Sequence, residues 1–231
     1  MRVLLDDLTG RSGEVAGEDL AGLYDAPASW LRLNFVASVD GAATGADGRS
    51  GSINNAVDKQ VFHLLRRMSD AIVVGAGTAR AERYGLAARP IVVLSRRGAV
   101  PEKLRDGAPG QVLLATSSAA EQLDEARDIL GAEYVLELGP DHADLTRLRP
   151  ALAERGLHRL LSEGGPHVFH DMLVAGIVDE LDLTWVPSLV AGSGLRIVAG
   201  PALDVPLQPK VLLEEDGTVL GRWFVRDAAG A

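Results

Sequence analysis

Three short, unbroken apolar runs constrain this chain most: Ala71–Val74, Ile91–Leu94 and Val112–Ala115, each cut off at once by glycine or hydroxyl residues. They are too short for buried helices and lack the alternation of a strand with one wet face. They therefore predict strands covered on both sides, as in a parallel sheet. A helical turn is expected from near Thr78 and a helix over 119–130. Upstream, Leu31, Leu33, Phe35 and Ala37 alternate with Arg32, Asn34, Val36 and Ser38 in a first strand from Trp30. The stretch 40–52 is too rich in glycine and serine for a helix interior. Asn54 or Asn55 can cap a helix running to about Met68, with Val57, Val61, Leu64 and Leu65 on one face. Further strands are expected near 133–138 and at Arg159–Leu161, with helices near 144–155 and 167–175.

The tail changes character. Glu180–Val186, Val211–Glu214 and Val219–Arg226 read as strands with no helix between them, and Glu214–Gly217 (EEDG) is a hairpin signal. The expected fold is α/β: a mostly parallel central sheet with helices on both faces and an antiparallel C-terminal strand pair. At 231 residues a single domain over 29–231 suffices, with the acidic, glycine-broken residues 1–28 as an arm packed on the body.

Composition removes several function classes. Cysteine is absent, which excludes disulfides, thiolate metal sites and a cysteine nucleophile. A formal charge of −9 argues against a nucleic-acid partner, so an anionic ligand needs local arginines or helix ends. No apolar run nears the ~20 residues of a membrane span. MRVLLDDLTG reaches its acids too early for a signal peptide, so a cytoplasmic location is expected. His167 and His170 lie three apart without a third ligand at a usual spacing, so no metal site is expected.

In open α/β sheets, ligands bind at the carboxyl ends of the strands. Three junctions stand out there. Gly75-Ala76-Gly77-Thr78 offers unhindered backbone N–H groups at a helix start, suited to phosphate, although a tight turn explains it equally. Glu163-Gly164-Gly165-Pro166 is a second such junction, with proline placed for a first helical turn and paired glycines that permit close approach to a ligand, though it could equally be a tight turn. Ser95-Arg96-Arg97 ends a buried strand with two guanidiniums and a hydroxyl, which suits the 2′-phosphate of NADPH; the alternative is an exposed basic turn.

Taken in order, Ser38-Val39-Asp40-Gly41, Ser50, Leu65-Arg66, Asp70–Gly75, Gly77-Thr78, Glu163–Pro166 and Gly176–Leu181 resemble the pyrimidine reductase family of riboflavin biosynthesis. The resemblance covers about residues 30–226. It implies a dihydrofolate-reductase-like fold, a homodimer, and NADPH-dependent reduction of 5-amino-6-(5-phosphoribosylamino)uracil, a phosphorylated pyrimidine. Hydride would add to C1′ of the opened sugar, an imine carbon, giving the ribitylamine. Ser50, Arg66, Leu86, Arg89 and Glu163 fall where the family contacts substrate, the two arginines as phosphate clamps. Thr78 and Gly165, Pro166, His167, Val168 and Phe169 fall where it holds cofactor. Glu82 stands where the family has its proposed catalytic acid. Asp40 is a second catalytic candidate, or only the former of an Asp-Gly turn.

The chain departs from the family pattern at several points. Ser52 stands where a tryptophan is common, Asn34 where a lysine is, and Glu82-Arg83-Tyr84 where an acidic pair precedes proline. The histidines and cysteines of a fused deaminase are missing. Two other functions are open: a dihydrofolate or pterin reductase on the same fold, and a non-catalytic nucleotide-binding protein. A pterin presents an amidine edge that a buried carboxylate grips bidentately, and the 2,4-dioxo pyrimidine lacks that edge. Asp58 lies roughly where dihydrofolate reductases carry such a carboxylate; the simpler reading is that it favours the helix N-terminus electrostatically. Trp185, Leu189, Val211 and Trp223 are the expected apolar surface of the homodimer.

Overall fold

The computed structural model describes residues 1–192 and 194–226. Its centre is seven parallel strands: β3 (Trp30–Ser38), β4 (Ala71–Gly75), β5 (Ile91–Leu94), β6 (Val112–Thr116), β7 (Val135–Glu137), β8 (Arg159–Ser162) and β9 (Glu180–Val186). Four antiparallel strands extend it: β10 (Leu207–Glu215), β11 (Thr218–Val225), and two from the N-terminus, β1 (Arg2–Asp6) and β2 (Gly13–Glu14). The order is β2-β1-β10-β11-β9-β3-β8-β4-β5-β6-β7. The expected α/β class is therefore present, but the C-terminal hairpin does not close the sheet. Arg2–Asp6 pairs along β10 and takes that edge.

The helices cover both faces. On one, α5 (Leu148–Ala153) and α6 (Pro166–Val174) pack Leu148, Leu152, Phe169 and Met172 onto Leu31, Leu33 and Phe35. On the other, α1 (Gly17–Gly22) and α2 (Ala56–Met68) bury Leu20, Val57, Val61 and Leu65 over β8, β10 and β11. Beyond them α3 (Ala76–Ala81) and α4 (Leu123–Leu130) cover β4–β6. Asn55 is the residue that caps α2, accepting from Asp58 N at 3.0 Å. The hairpin turns on Asp216 and Gly217, both at positive φ as a two-residue turn requires. The helix expected from 119 begins only at Leu123. Ser118, Ala119 and Gln122 give their N–H groups to the carbonyls of Gly139, Pro140 and Arg97, so the first turn cannot close on itself. No helix among the described residues is long and apolar enough to cross a membrane.

Buried guanidiniums fix residues 1–28 to the sheet. Arg222 binds Glu180 through Nε and Nη2 at 2.8 and 2.9 Å and donates to the carbonyls of Leu23 and Asp25. Arg32 reaches the carbonyl of Tyr24 at 2.9 Å. Asp182 sits in this cluster with neither carboxylate oxygen hydrogen-bonded among the described residues. Burial, with the negative Glu180 beside it, pushes the Asp182 carboxyl well above its usual range. An acid with a raised folded-state pKa stabilises fully below its ordinary value of about 4, and that stability is lost as pH rises. Asp182→Asn, which mimics the neutral acid, is therefore expected to be neutral or to stabilise by about 1–4 kcal/mol near neutrality. Thermal melts at pH 5 and pH 8 check this: the gain over wild type should be larger at pH 8.

Candidate active site

The parallel strands end in one cleft of about 1460 Å³. Its walls are built from the ends of β3, β4, β5 and β6, the turn after β8, the start of α6 and the cleft-facing side of α2. Two loops that sequence reading did not select, 142–146 and 199–201, complete the rim.

The two glycine turns meet at its floor. Gly75 N donates to Gly164 O at 2.7 Å, joining the end of β4 to the turn after β8. A side chain on Gly75 would collide with Val168, and one on Gly165 with Thr78 Oγ1. Gly164 has φ +74°, and a Cβ there would enter the ring of Phe35, which stacks on Phe169 with centroids 5.1 Å apart. The Gly164–Gly165 peptide is cis. These glycines are thus fixed by packing of backbone against backbone and side chain. Gly77 differs: nothing lies within 4 Å of where its Cβ would be, and it faces the cleft.

The acid in the second turn is already engaged. Glu163 accepts Nε and Nη2 of Arg66, both at 2.6 Å, and the Tyr84 hydroxyl at 2.5 Å. Arg66 also lies over the Phe62 ring, 4.3 Å from its centroid. Burial, and then the adjacent Glu163 charge, raise the Tyr84 pKa well above its usual value, so its proton stays on. Tyr84 and Phe62 were not singled out in the sequence. The pairing of Arg66 with a carboxylate 97 residues away left no local signal.

Of the expected cofactor residues, Gly75, Gly77, Thr78, Ser95, Arg96, Arg97, Gly165, Pro166, His167 and Val168 line the cleft. Gly164 and Phe169 lie behind it as packing. Arg96 forms no ion pair among the described residues, whereas Arg97 approaches Glu121 at 3.5 Å on the surface. Of the expected substrate residues, Ser50 and Glu163 line the cleft, as does Glu82, whose Oε1 accepts Ser50 N at 2.8 Å. Leu86 and Arg89 are exposed on the loop after Tyr84, outside the cleft wall, and Arg89 donates to Arg67 O at 2.7 Å.

Asp40 also lies outside that wall. Its carboxylate accepts Ser38 Oγ, Val190 N and Ala191 N, which tie two loops together and hold its pKa down at about 2. Val211, expected on the dimer surface, is instead in the core beneath α1 and α2. Trp185 and Trp223 pack edge to face, 5.0 Å apart, and Leu189 is exposed.

A sheet with a parallel centre and an antiparallel extension, with glycine turns opening on a cleft at the strand ends, defines the dihydrofolate-reductase-like class of α/β folds. The RibD C-terminal domain family model matches residues 29–219, and the chain belongs to that family. It is 32% identical over 189 residues to the 2,5-diamino-6-ribosylamino-4(3H)-pyrimidinone 5′-phosphate reductase of Methanothermobacter thermautotrophicus, covering 76% of this chain and 86% of that one. It is 29% identical over 205 residues to the riboflavin biosynthesis protein RibD of Chlamydia trachomatis, with 82% of this chain aligned to 54% of that protein. It therefore spans about half the length of that relative. A pyrimidine reductase-like protein from Corynebacterium diphtheriae superposes with a TM-score of 0.76 at 26% identity, covering 86% of this chain and 93% of that one.

Proposed function

We propose that the chain is an NADPH-dependent pyrimidine reductase of riboflavin biosynthesis, converting a phosphoribosylaminopyrimidine to its ribitylamino product. The observation that carries this is one cleft in which the two glycine turns, Arg96, Glu82 and the base of α2 converge, in a chain similar to named reductases of that substrate class. The site fits a nicotinamide dinucleotide: Gly77 leaves the cleft open beside the first turn, and Arg96 is a cation without a carboxylate partner among the described residues. The backbone N–H groups of Gly165, His167 and Val168, where α6 begins, would receive pyrophosphate, and Ser95 and Arg96 the 2′-phosphate. When bound, the cofactor supplies the hydride.

The protein's own work is to open the sugar and exclude water. Opening the furanose puts one proton on O4′ as C1′–O4′ breaks and leaves an iminium that keeps its N–H, so hydride addition to C1′ completes the reduction with no second proton. Glu82 is the carboxyl in the cleft assigned to that transfer. Glu163, held on both oxygens by Arg66 and Tyr84, is a fixed acceptor for substrate N–H or hydroxyl groups. With Arg66 so occupied and Arg89 outside the wall, Arg80 is the cleft cation available to a sugar phosphate. A homodimer is part of this reading, supported by exposed Leu189, Leu195 and Val39 on neighbouring loops.

The test is turnover with NADPH of the phosphorylated ribosylaminopyrimidines and of dihydrofolate; reduction of dihydrofolate alone would overturn the reading. NADPH is expected to bind roughly 10- to 150-fold more tightly than NADH, the worth of one charge-assisted contact. Arg96→Ala should remove most of that preference while leaving NADH affinity nearly unchanged. Equal dissociation constants for the two cofactors with wild type, by fluorescence titration, would refute the assignment of Arg96.

A further inference from the structure

Residues 54, 58, 62 and 66 fall at successive four-residue spacings along the cleft-facing side of α2 and the turn before it. Asn54, Asp58 and Phe62 line the cleft, and Arg66 turns from the same row onto Glu163. Asp58 is 2% exposed. Its backbone N–H takes the Asn55 cap, but its carboxylate does not reach back to the helix N-terminus; the side chains of Thr184 and Asn54 are its donors. Asn54, having given its amide N–H to Asp58, keeps an Oδ1 with no partner among the described residues. The cleft wall thus presents two side-chain acceptors, a carboxylate and an amide oxygen, beside an aromatic ring.

Buried acceptors select a donor-rich ligand edge, because a polar group left unpaired costs the full penalty of its desolvation. A 2-amino-4-oxopyrimidine carries N3–H beside a 2-amino group: two parallel N–H bonds for the carboxylate and a third for Asn54. The uracil form puts a 2-oxo group, an acceptor, against both. Building on the reductase reading above, we infer that Asp58, seconded by Asn54, determines specificity for the pyrimidine's C2 edge, selecting the 2-amino over the 2-oxo substrate. This departs from the uracil substrate expected from the sequence resemblance. Hydrolytic loss of the 2-amino group would then follow reduction and act on the product of this enzyme.

The experiment compares kcat/KM for 2,5-diamino-6-ribosylamino-4(3H)-pyrimidinone 5′-phosphate and for 5-amino-6-(5-phosphoribosylamino)uracil, using the full chain with saturating NADPH. It is run at pH 8, because burial raises the Asp58 pKa and the carboxylate must be ionised. Wild type is expected to favour the 2-amino substrate by about 100-fold or more, the discrimination available when a site's polar groups lose their partners. Asp58→Asn should reverse the order, since its amide donates to a 2-oxo group and accepts from N3–H. Asp58→Ala should lower turnover of the 2-amino substrate and bring the two values together. The ratio is taken on one enzyme sample, so a loss of folded protein cannot mimic the reversal. Equal use of both substrates by wild type, or an equal fall for both in Asp58→Asn, would overturn the inference and leave the reductase reading standing. Reduction of neither substrate would overturn both.

Discussion

Gly164→Ala is expected to cost about 2–5 kcal/mol of stability and to abolish measurable cofactor binding in whatever fraction still folds. Two independent penalties act at this residue. Its φ of +74° is a conformation that a side chain makes unfavourable. The new methyl would also enter the Phe35 ring, whose retreat is opposed by Phe169 stacked against it. Overpacking of this kind costs about 1–3 kcal/mol, and the backbone adds about 1–2 kcal/mol. The turn carries Glu163 on one side and begins α6 on the other, so a shift here also displaces the floor shared with Gly75. Urea denaturation gives the stability change, and NADPH titration at low temperature gives the binding loss. Gly77→Ala is the control: its Cβ meets nothing in the protein, so stability should hold and only cofactor affinity should fall. A Gly164→Ala protein with wild-type midpoint and affinity would refute the packing argument.

Much of this architecture is legible in the sequence because it rests on local periodicity. The short runs at 71, 91 and 112 state that both faces of a strand are covered, and the strands stand there; the alternation from Trp30 marks the strand but not its burial, since Arg32, Asn34 and Ser38 are buried like their apolar neighbours. The two glycine turns are visible because only glycine tolerates such close approach. What escapes is whatever depends on partners far along the chain. Arg2–Asp6 has no local signal for pairing with residues 211–214, about 200 residues away along the chain. Arg66 reads as a phosphate clamp until Glu163 and Tyr84 surround it. Leu86 and Arg89 were placed by resemblance alone, yet the loop after Tyr84 carries them outside the cleft wall. The spacing of Asn54, Asp58 and Phe62 was present in the sequence. The apolar face of the same helix, Val57, Val61 and Leu65, gives the stronger signal and masks this second row.

Glu82→Gln is expected to lower kcat by about 100-fold or more if Glu82 delivers the proton that opens the sugar. The substitution keeps length and shape and removes only the acid. Glu82 also has a positioning role, since its Oε1 accepts Ser50 N at 2.8 Å and so fixes the loop between β3 and α2 against the end of α3. Gln keeps that acceptor, so KM and stability should change little. The two roles separate cleanly on this variant. Loss of a proton donor lowers kcat and leaves loop geometry intact, and a substrate presented as the pre-opened imine should recover most of the rate. Loss of positioning would raise KM with a fall in kcat of only about tenfold, and Glu82→Ala would then be far worse than Glu82→Gln. Steady-state kinetics on the two variants, with single-turnover oxidation of NADPH to isolate the chemical step, distinguish these outcomes. A Glu82→Gln enzyme within threefold of wild type in kcat would move the acid elsewhere in the cleft.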